Sequence, residues 1–320
     1  MSILIYAESA EGKFKKTAFE LASYAKKVAE SWGTTVTAVT INHNNTSELA
    51  AYGVDKVVCA QHADLNAFNA KNYADVLQQV AQKEQSKLVV LSSTTDSLYI
   101  APLLSVGLQA GYASNVVALP LGNNPLQVKR TAFSNKAFVT TELKGDCNLI
   151  SLAKNSFGLI QTNGAAASED FSPTLASGAN SVHISGVEKA SGKVTIADAD
   201  IVVSAGRGLK GPENWGMIEE LASVLGAATA CSKPVSDLGW RPHSEHVGQT
   251  GKPVATNLYI AIGISGAIQH IAGVNSSKVK VVINTDPEAP FFKVADYGVV
   301  GDAFEIVPKL IEKLKAFKAQ

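Results

Sequence analysis

Little in this sequence stands in excess. Charge of neither sign dominates: 28 lysines and arginines face 28 aspartates and glutamates, for a formal net charge of zero. Binding a phosphate backbone rests on a surplus of basic side chains, so nucleic acid is not an expected partner. Cysteine is scarce. Cys59, Cys147 and Cys231 lie far apart, form no C-x-x-C pair and follow no metal-ligand rhythm. An odd, sparse set of this kind fits reduced thiols in the cytoplasm. Long apolar runs are missing too. The most apolar stretch, 258–274, is interrupted by Ser265, Gln269 and His270 and is too short and too polar to span a bilayer, so no membrane insertion is expected. The opening residues, Met1-Ser2-Ile3-Leu4-Ile5-Tyr6-Ala7-Glu8, read at once as a buried strand. They carry no basic n-region, apolar h-region or arginine-rich presequence. The expectation is a cytoplasmic protein with no signal or transit peptide.

The motifs of hydrolysis and metal chemistry are also lacking. There is no G-x-S-x-G elbow and no serine, histidine and acid arrangement. The phosphate loop G-x-x-x-x-G-K-S/T is absent. No catalytic residue is expected. His243 and His246 stand three apart around Ser244-Glu245, a conceivable metal pair. No third ligand of suitable spacing accompanies them, and Pro242 marks a loop.

What is present is apolar material in alternating units. The 320 residues suit two domains, and 46% of them are hydrophobic against 18% charged. Strand signals at 3–7, 35–41, 54–60 and 88–92 alternate with helix signals at 17–32, 73–85 and 100–110, and Gly33 is placed to end the first helix. Such alternation predicts a parallel sheet covered on both faces. Between 128 and 159 the pattern shifts to neighbouring strands, 137–141 and 148–152, as in an antiparallel edge. Residues 164–180 are rich in alanine, serine and glycine and read as a linker. A second series begins at Asp200 with a strand at 201–204. It continues with a helix whose Ile218, Leu221, Ala222 and Leu225 share a face, stopped by Gly226. Strands at 258–264 and 281–284 follow, with a helix from about Gly266 and a C-terminal helix from Phe304. The expected architecture is α/β: two doubly wound, mainly parallel-sheet domains, 1–190 and 191–320. No internal repeat is evident.

Four segments carry chemistry. An apolar strand running from Leu258 into Gly263-Ile264-Ser265-Gly266-Ala267-Ile268-Gln269-His270 makes a strand-to-helix junction, where free N–H groups suit a pyrophosphate and Gly266 admits close approach. The alternative is a tight turn that binds nothing, with His270 a satisfied core residue. Val247-Gly248-Gln249-Thr250-Gly251-Lys252 is a glycine-bracketed loop with hydrogen-bonding side chains, or an ordinary surface turn. Ser204-Ala205-Gly206-Arg207-Gly208-Leu209-Lys210 places an arginine at a strand end, where doubly wound sheets collect ligands. Its other reading is an exposed arginine in a turn. Asn284-Thr285-Asp286-Pro287-Glu288-Ala289-Pro290 stands at another strand end, able to hold ribose or adenine edges or simply to form an Asx-turn.

Taken together and in this order, these segments resemble the electron transfer flavoprotein alpha subunit family. The run ending in Gln269-His270 is its most specific signature; the first domain resembles the family more loosely, through its strand-helix series and the stretch from Lys129-Arg130 to Lys136-Ala137. The resemblance implies a Rossmann-like second domain that binds FAD through Arg207, Ser232, Lys233, Val247, Gly248, Gln249, Thr250, Ser265, Gly266, Ala267, Ile268, Gln269, His270, Asn284 and Asp302. Thr250 would approach flavin N5. His270 would lie by N1 and the C2 carbonyl, where a positive or donating group favours the negative charge of reduction. Ser265, Gly266, Asn284 and Asp302 would serve the pyrophosphate and AMP half. The family usually has arginine after Ser232; Lys233 replaces its planar fork with a point charge. Lys280 and Val282 also depart from the family pattern, with little expected effect.

The function implied is that of an electron carrier rather than an enzyme. It would pair with a beta subunit through the first domain, take electrons from flavin dehydrogenases such as the acyl-CoA dehydrogenases of fatty acid beta-oxidation, and pass them to a quinone reductase or another acceptor. The alternatives are a self-sufficient FAD-dependent oxidoreductase, or a bifurcating or nitrogen-fixation-linked branch of the same family.

Overall fold

Strand β1 (Ser2–Tyr6) is buried along its whole length, as a strand must be when helices cover both faces of its sheet. The computed structural model describes residues 2–44, 47–133, 135–175, 184–186, 195–196 and 199–319. Within it the chain divides into two units, one of Met1–Ala132 with Ala137–Val187, the other of Phe133–Lys136 with Glu188–Gln320. The boundary expected at 190 lies outside the described residues.

In the first unit β1 leads through a small hairpin, β2 (Ser9–Ala10) and β3 (Lys13–Phe14), into α1 (Lys16–Trp32). Then come β4 (Thr35–Ile41), α2 (Ser47–Ala50), β5 (Lys56–Ala60), α3 (Ala70–Lys83), β6 (Leu88–Ser92), α4 (Thr95–Leu108) and β7 (Gly111–Val116). β8 (Gly122–Asn123), β9 (Leu126–Ala132), β10 (Ala137–Leu143), β11 (Asn148–Leu152) and β12 (Ala167–Phe171) complete it. The sheet order is β10-β9-β7-β11-β6-β1-β4-β5-β12, with β8 on β9. Alternating side chains serve two cores. Ile3, Ile5, Val36, Leu88 and Ile150 pack under α1, while Leu4, Val39, Val89 and Leu149 pack under α3 and α4. Each such side chain contributes about 1.5–3 kcal/mol by leaving water. Gly33 ends α1 at φ 63°, its N–H bonded to the Ala29 carbonyl.

Two expectations are corrected here. Strand β11 is not part of an antiparallel edge: it runs parallel between β6 and β7, buried at every residue. Only the pairings among β7, β8, β9 and β10 are antiparallel in this sheet. The supposed linker 164–180 contains β12, which extends the sheet beside β5, and its residues 176–180 lie outside the described residues. Its side chains are largely exposed, so main-chain pairing and the Glu169 carboxylate held by Lys56 and Lys83 keep it in place.

The first unit's sheet reverses its winding order between β1 and β6. Glu8, 2% exposed, fills that point. Its carboxylate accepts from Ser92 Oγ (3.2 Å), Thr94 Oγ1 (2.5 Å), Ser97 Oγ (3.1 Å) and Lys15 Nζ (2.8 Å). Thr94 also caps α4 through the Ser97 N–H, which starts that helix five residues before the apolar pattern does.

The second unit runs β13 (Ile201–Ala205), α5 (Gly216–Leu225), β14 (Ala228–Cys231), α6 (Lys233–Asp237), β15 (Leu258–Ile262), α7 (Ile268–Val274), β16 (Val279–Asn284), β17 (Tyr297–Val300) and α8 (Ala303–Lys318). All five strands are parallel, in the order β14-β13-β15-β16-β17. Val203, Ala205, Ile260 and Ile262 pack under α5 and α8, and Val202, Tyr259 and Ala261 pack on the opposite face with Val247, Val254 and Phe291. Both units are thus doubly wound α/β, the second Rossmann-like. No described helix is long and apolar enough to cross a membrane.

Candidate functional site

The second sheet starts at β13, places β14 on one side and β15 to β17 on the other, and so reverses between β13 and β15. Ligands of open α/β sheets collect outside the carboxyl ends of the strands at that switch point. Every residue expected to touch a cofactor lies on the segments leaving those ends or on the loop 243–254 laid against them.

Main chain builds the bed. After β13 the Gly206 N–H bonds to the Ile262 carbonyl (2.9 Å) and the Gly208 N–H to the Gly263 carbonyl (3.2 Å). A Cβ on Gly206 would stand 2.2 Å from Gly263 O, and one on Gly208 would stand 2.6 Å from Gly263 Cα, so only glycine lets these loops touch. Arg207 projects from that turn, exposed and with no ion pair among the described residues. The loop 243–254 is tied down by Val247 N–H to the Cys231 carbonyl (3.0 Å) and Val254 N–H to the Gly273 carbonyl (2.7 Å). It is joined to the β15 turn by Gln249 N–H to the Gln269 carbonyl (2.8 Å), which leaves Gln249 and Thr250 exposed beside exposed Ser265, Ala267, Ile268 and Gln269.

The expected helix at Gly266 begins later. Gly266 sits at φ 86°, outside helical space, and packs so closely on Phe291 that a Cβ would lie 2.5 Å from its nitrogen. Helix α7 starts at Ile268 and is seven residues long. A helix this short carries little dipole. The charge available to an anion here therefore comes mainly from Arg207.

Other expected residues are already engaged. Lys233 is exposed and pairs with Asp237 one turn along its own helix (3.1 Å). Ser232 is 7% exposed, opens that helix without a capping bond, and donates its N–H to the Ala205 carbonyl (3.1 Å). Asn284 donates Nδ2–H to the Ile264 carbonyl (3.1 Å) and accepts the Asp286 N–H (3.1 Å), the Asx-turn of the bland reading. Asp302 caps α8 through the Phe304 N–H (2.9 Å) and lies 3.8 Å from Lys210.

His270 is 6% exposed. Its Nε2 lies 2.8 Å from the Tyr259 hydroxyl, and its Nδ1 is buried without a hydrogen-bond partner among the described residues. Burial, aided by the neighbouring His246 and opposed by the Val247 backbone, pushes this imidazole down to about 4, so the ring is neutral at pH 7. His246, not expected at the site, is 2% exposed, and its Nδ1 also lacks a hydrogen-bond partner among the described residues. Burial first, then His243 and Lys233, lower its pKa, and Asp237 opposes. Its ring centre is 5.3 Å from that of His243, and no metal-holding group of three ligands occurs among the described residues. The spacing drew attention to His246, but only its burial beside α7 shows that it belongs with His270.

A parallel sheet that reverses between two glycine-closed loops, with its polar groups gathered outside that point, defines a nucleotide-binding α/β protein. A family model described as the electron transfer flavoprotein FAD-binding domain matches residues 195–275, and one described as the electron transfer flavoprotein domain matches 3–176. The chain belongs to the electron transfer flavoprotein alpha subunit family. It is 36% identical to the electron transfer flavoprotein subunit alpha of Bacillus subtilis, covering 98% of this chain and 97% of that one. Identity to the subunit alpha of Thermoanaerobacterium thermosaccharolyticum is 35% (99% and 98%), and to Protein FixB of Clostridium saccharobutylicum 32% (98% and 96%). The chain is accordingly an electron-transfer flavoprotein subunit with FAD as its cofactor, and an alpha subunit implies a beta-subunit partner. The residues present suit that cofactor: unpartnered ring nitrogens on His246 and His270, a free guanidinium at Arg207 and exposed amide and hydroxyl groups at Gln249, Thr250 and Ser265 meet a molecule with carbonyl, amide and phosphate edges.

Proposed function

We propose that FAD lies along the carboxyl ends of the second sheet, held by the residues of the four segments, and that the chain carries electrons between flavin dehydrogenases and a quinone reductase in the cytoplasm. The observation that carries this reading is the buried, unpartnered Nδ1 of a neutral His270 among those segments. A buried polar atom without a partner costs about 1–3 kcal/mol, which a ligand's acceptor removes.

When bound, FAD supplies the one- and two-electron chemistry. His270 Nδ1–H donates to the ring edge that becomes negative on reduction. Because this imidazole is neutral, its hydrogen bond contributes about 0.5–1.5 kcal/mol rather than the larger charge-assisted value. Gln249 and Thr250, exposed on the loop that the buried Val247 and Gly248 anchor beside α7, would approach the ring from that loop. Arg207 and the Ser265–Gly266–Ala267 turn, where no side chain on Gly266 intrudes, would hold the phosphates. Ser232 and Lys233 at the end of β14, and Ile268 and Gln269 at the start of α7, would help hold the ring, and Asn284 and Asp302, which fix the turns after β16 and β17, would help hold the nucleotide half.

The first unit is read as the partner-binding domain. Helix α4 turns Leu98 (59% exposed), Tyr99 (61%), Leu103 (42%) and Val106 (79%) outward, a row of apolar side chains at helical spacing of the kind that marks protein interfaces. Co-expression with the beta subunit tests the reading. A yellow complex that is reduced by an acyl-CoA dehydrogenase with its substrate, and not by the metabolite alone, is the expected result. A colourless complex would end it; reduction by the metabolite alone would favour the self-sufficient oxidoreductase.

A further inference from the structure

Tyr259 stands in β15 with its side chain wholly buried, beneath the site rather than in it. Its ring stacks on Phe291, with interplanar angle 7° and centroids 6.3 Å apart, and Phe291 is the residue against which Gly266 packs. Its hydroxyl is 2.8 Å from His270 Nε2. We infer that Tyr259 is a positioning residue for the flavin site: by donating its O–H to Nε2 it fixes His270 in the tautomer whose single N–H is on Nδ1.

The inference rests on the reading that FAD lies beside His270. A buried hydroxyl keeps its proton and needs an acceptor. Burial raises the Tyr259 phenol well above its ordinary value, so proton loss does not compete. A neutral imidazole has one N–H and one lone pair. If Nε2 accepts from Tyr259, the N–H must be on Nδ1, which among the described residues has no partner at hydrogen-bond geometry even though the Val247 backbone lies close enough to favour its proton. In the other tautomer Nδ1 would present a lone pair to the flavin carbonyl and repel it. The titratable groups around the pair are His246 on the loop 243–254 and Cys231 on β14, whose thiol burial pushes up to about 12; the Val247 backbone lies by the imidazole, and the Ser204 hydroxyl, itself able to donate, lies by the phenol and leaves Nε2 to accept the phenol proton. Neither group stands between the hydroxyl and Nε2, which are in direct contact.

The test is nitrogen NMR of the chain labelled with ¹⁵N-histidine, without FAD and with it, near pH 7.5. His270 is expected as the Nδ1–H tautomer in the wild type. In Tyr259→Phe, which retains the stack on Phe291, the ring is expected to shift towards the Nε2–H form, and FAD Kd to weaken about 2- to 10-fold, the loss of one neutral hydrogen bond. An Nε2–H ring in the wild type overturns the inference without need of any variant. So does a tautomer or an FAD Kd that fails to respond to Tyr259→Phe in a folded variant. If neither protein binds FAD, the functional reading fails instead, while the tautomer is still read in the free chain.

Discussion

Gly206 and Gly263 meet main chain to main chain: a methyl group on Gly206 would stand 2.2 Å from the Gly263 carbonyl oxygen, where no real Cβ is found. Backbone cannot swing aside as a side chain can. Gly206→Ala is expected to destabilise the second unit by about 1–3 kcal/mol, the usual penalty of overpacking, and to lower FAD retention on purification. Urea unfolding and the flavin-to-protein absorbance ratio measure the two effects, and a variant with wild-type values for both contradicts the packing described.

The buried imidazoles make the fold acid-sensitive. The His270 pKa is depressed from 6.5 to about 4 in the folded chain, so the unfolded chain binds the proton first. The stability this group contributes is therefore complete above about pH 6.5 and is lost as pH falls towards 4. The loss for His270 is on the order of 3 kcal/mol, and His246 adds in the same direction. Denaturation midpoints at pH 7 and pH 4.5 should differ less in His270→Gln than in the wild type.

Lys233 stands where the resemblance implies arginine, and its partner is an exposed Asp237 on the same helix. Pairs of this kind contribute only about 0.3–0.5 kcal/mol. Lys233→Arg should leave the melting temperature within experimental scatter while changing the flavin potential, because a planar fork can bracket a ring that a point charge cannot. Spectroelectrochemical titration of the two complexes decides it; identical potentials would separate position 233 from the flavin.

Glu8 anchors the first unit. Removing its carboxylate strands three hydroxyl donors and Lys15 Nζ at the β1/β6 switch point. Glu8→Ala is expected to cost about 3 kcal/mol or more, since the partners lose a buried acceptor they share. The corresponding drop should appear in urea unfolding followed by far-UV circular dichroism.

The outward face of α4 supplies a test of subunit pairing. Val106 is 79% exposed and makes no structural demand of its own helix. Val106→Glu should change the stability of the isolated chain by less than about 0.5 kcal/mol. Co-purification with the beta subunit should fall at least several-fold. Undiminished pairing would move the interface elsewhere.

Strands and their alternation with helices were legible because apolar runs and 3.6-residue periods are local properties: β4, β6 and β11 have the very limits their β-branched or apolar runs suggest. What a strand pairs with is not local. Asn148–Leu152 looked like an edge beside 137–141, yet its neighbours β6 and β7 are set by the crossover through α4. Strand β12 carries little local signal because, Phe171 apart, it contributes backbone rather than apolar side chains to the sheet. The same division holds at the site. Its segments were found from glycine and polar punctuation at strand ends. Tyr259 reads locally as one more core residue of β15, and His246 as half of a metal pair. The link of Tyr259 to His270 exists only once α7 packs on β15, and that of His246 only once the loop 243–254 folds onto α7.

That the loops after β13 and β15 are fastened glycine to glycine has an evolutionary corollary. The form of the cradle is encoded in residues with no side chain to vary, while Lys233, exposed beside it, hangs from a frame that makes no packing demand of it. Exchange of that one side chain is thereby expected to alter the charge beside the cofactor with the seat of the cofactor left in place.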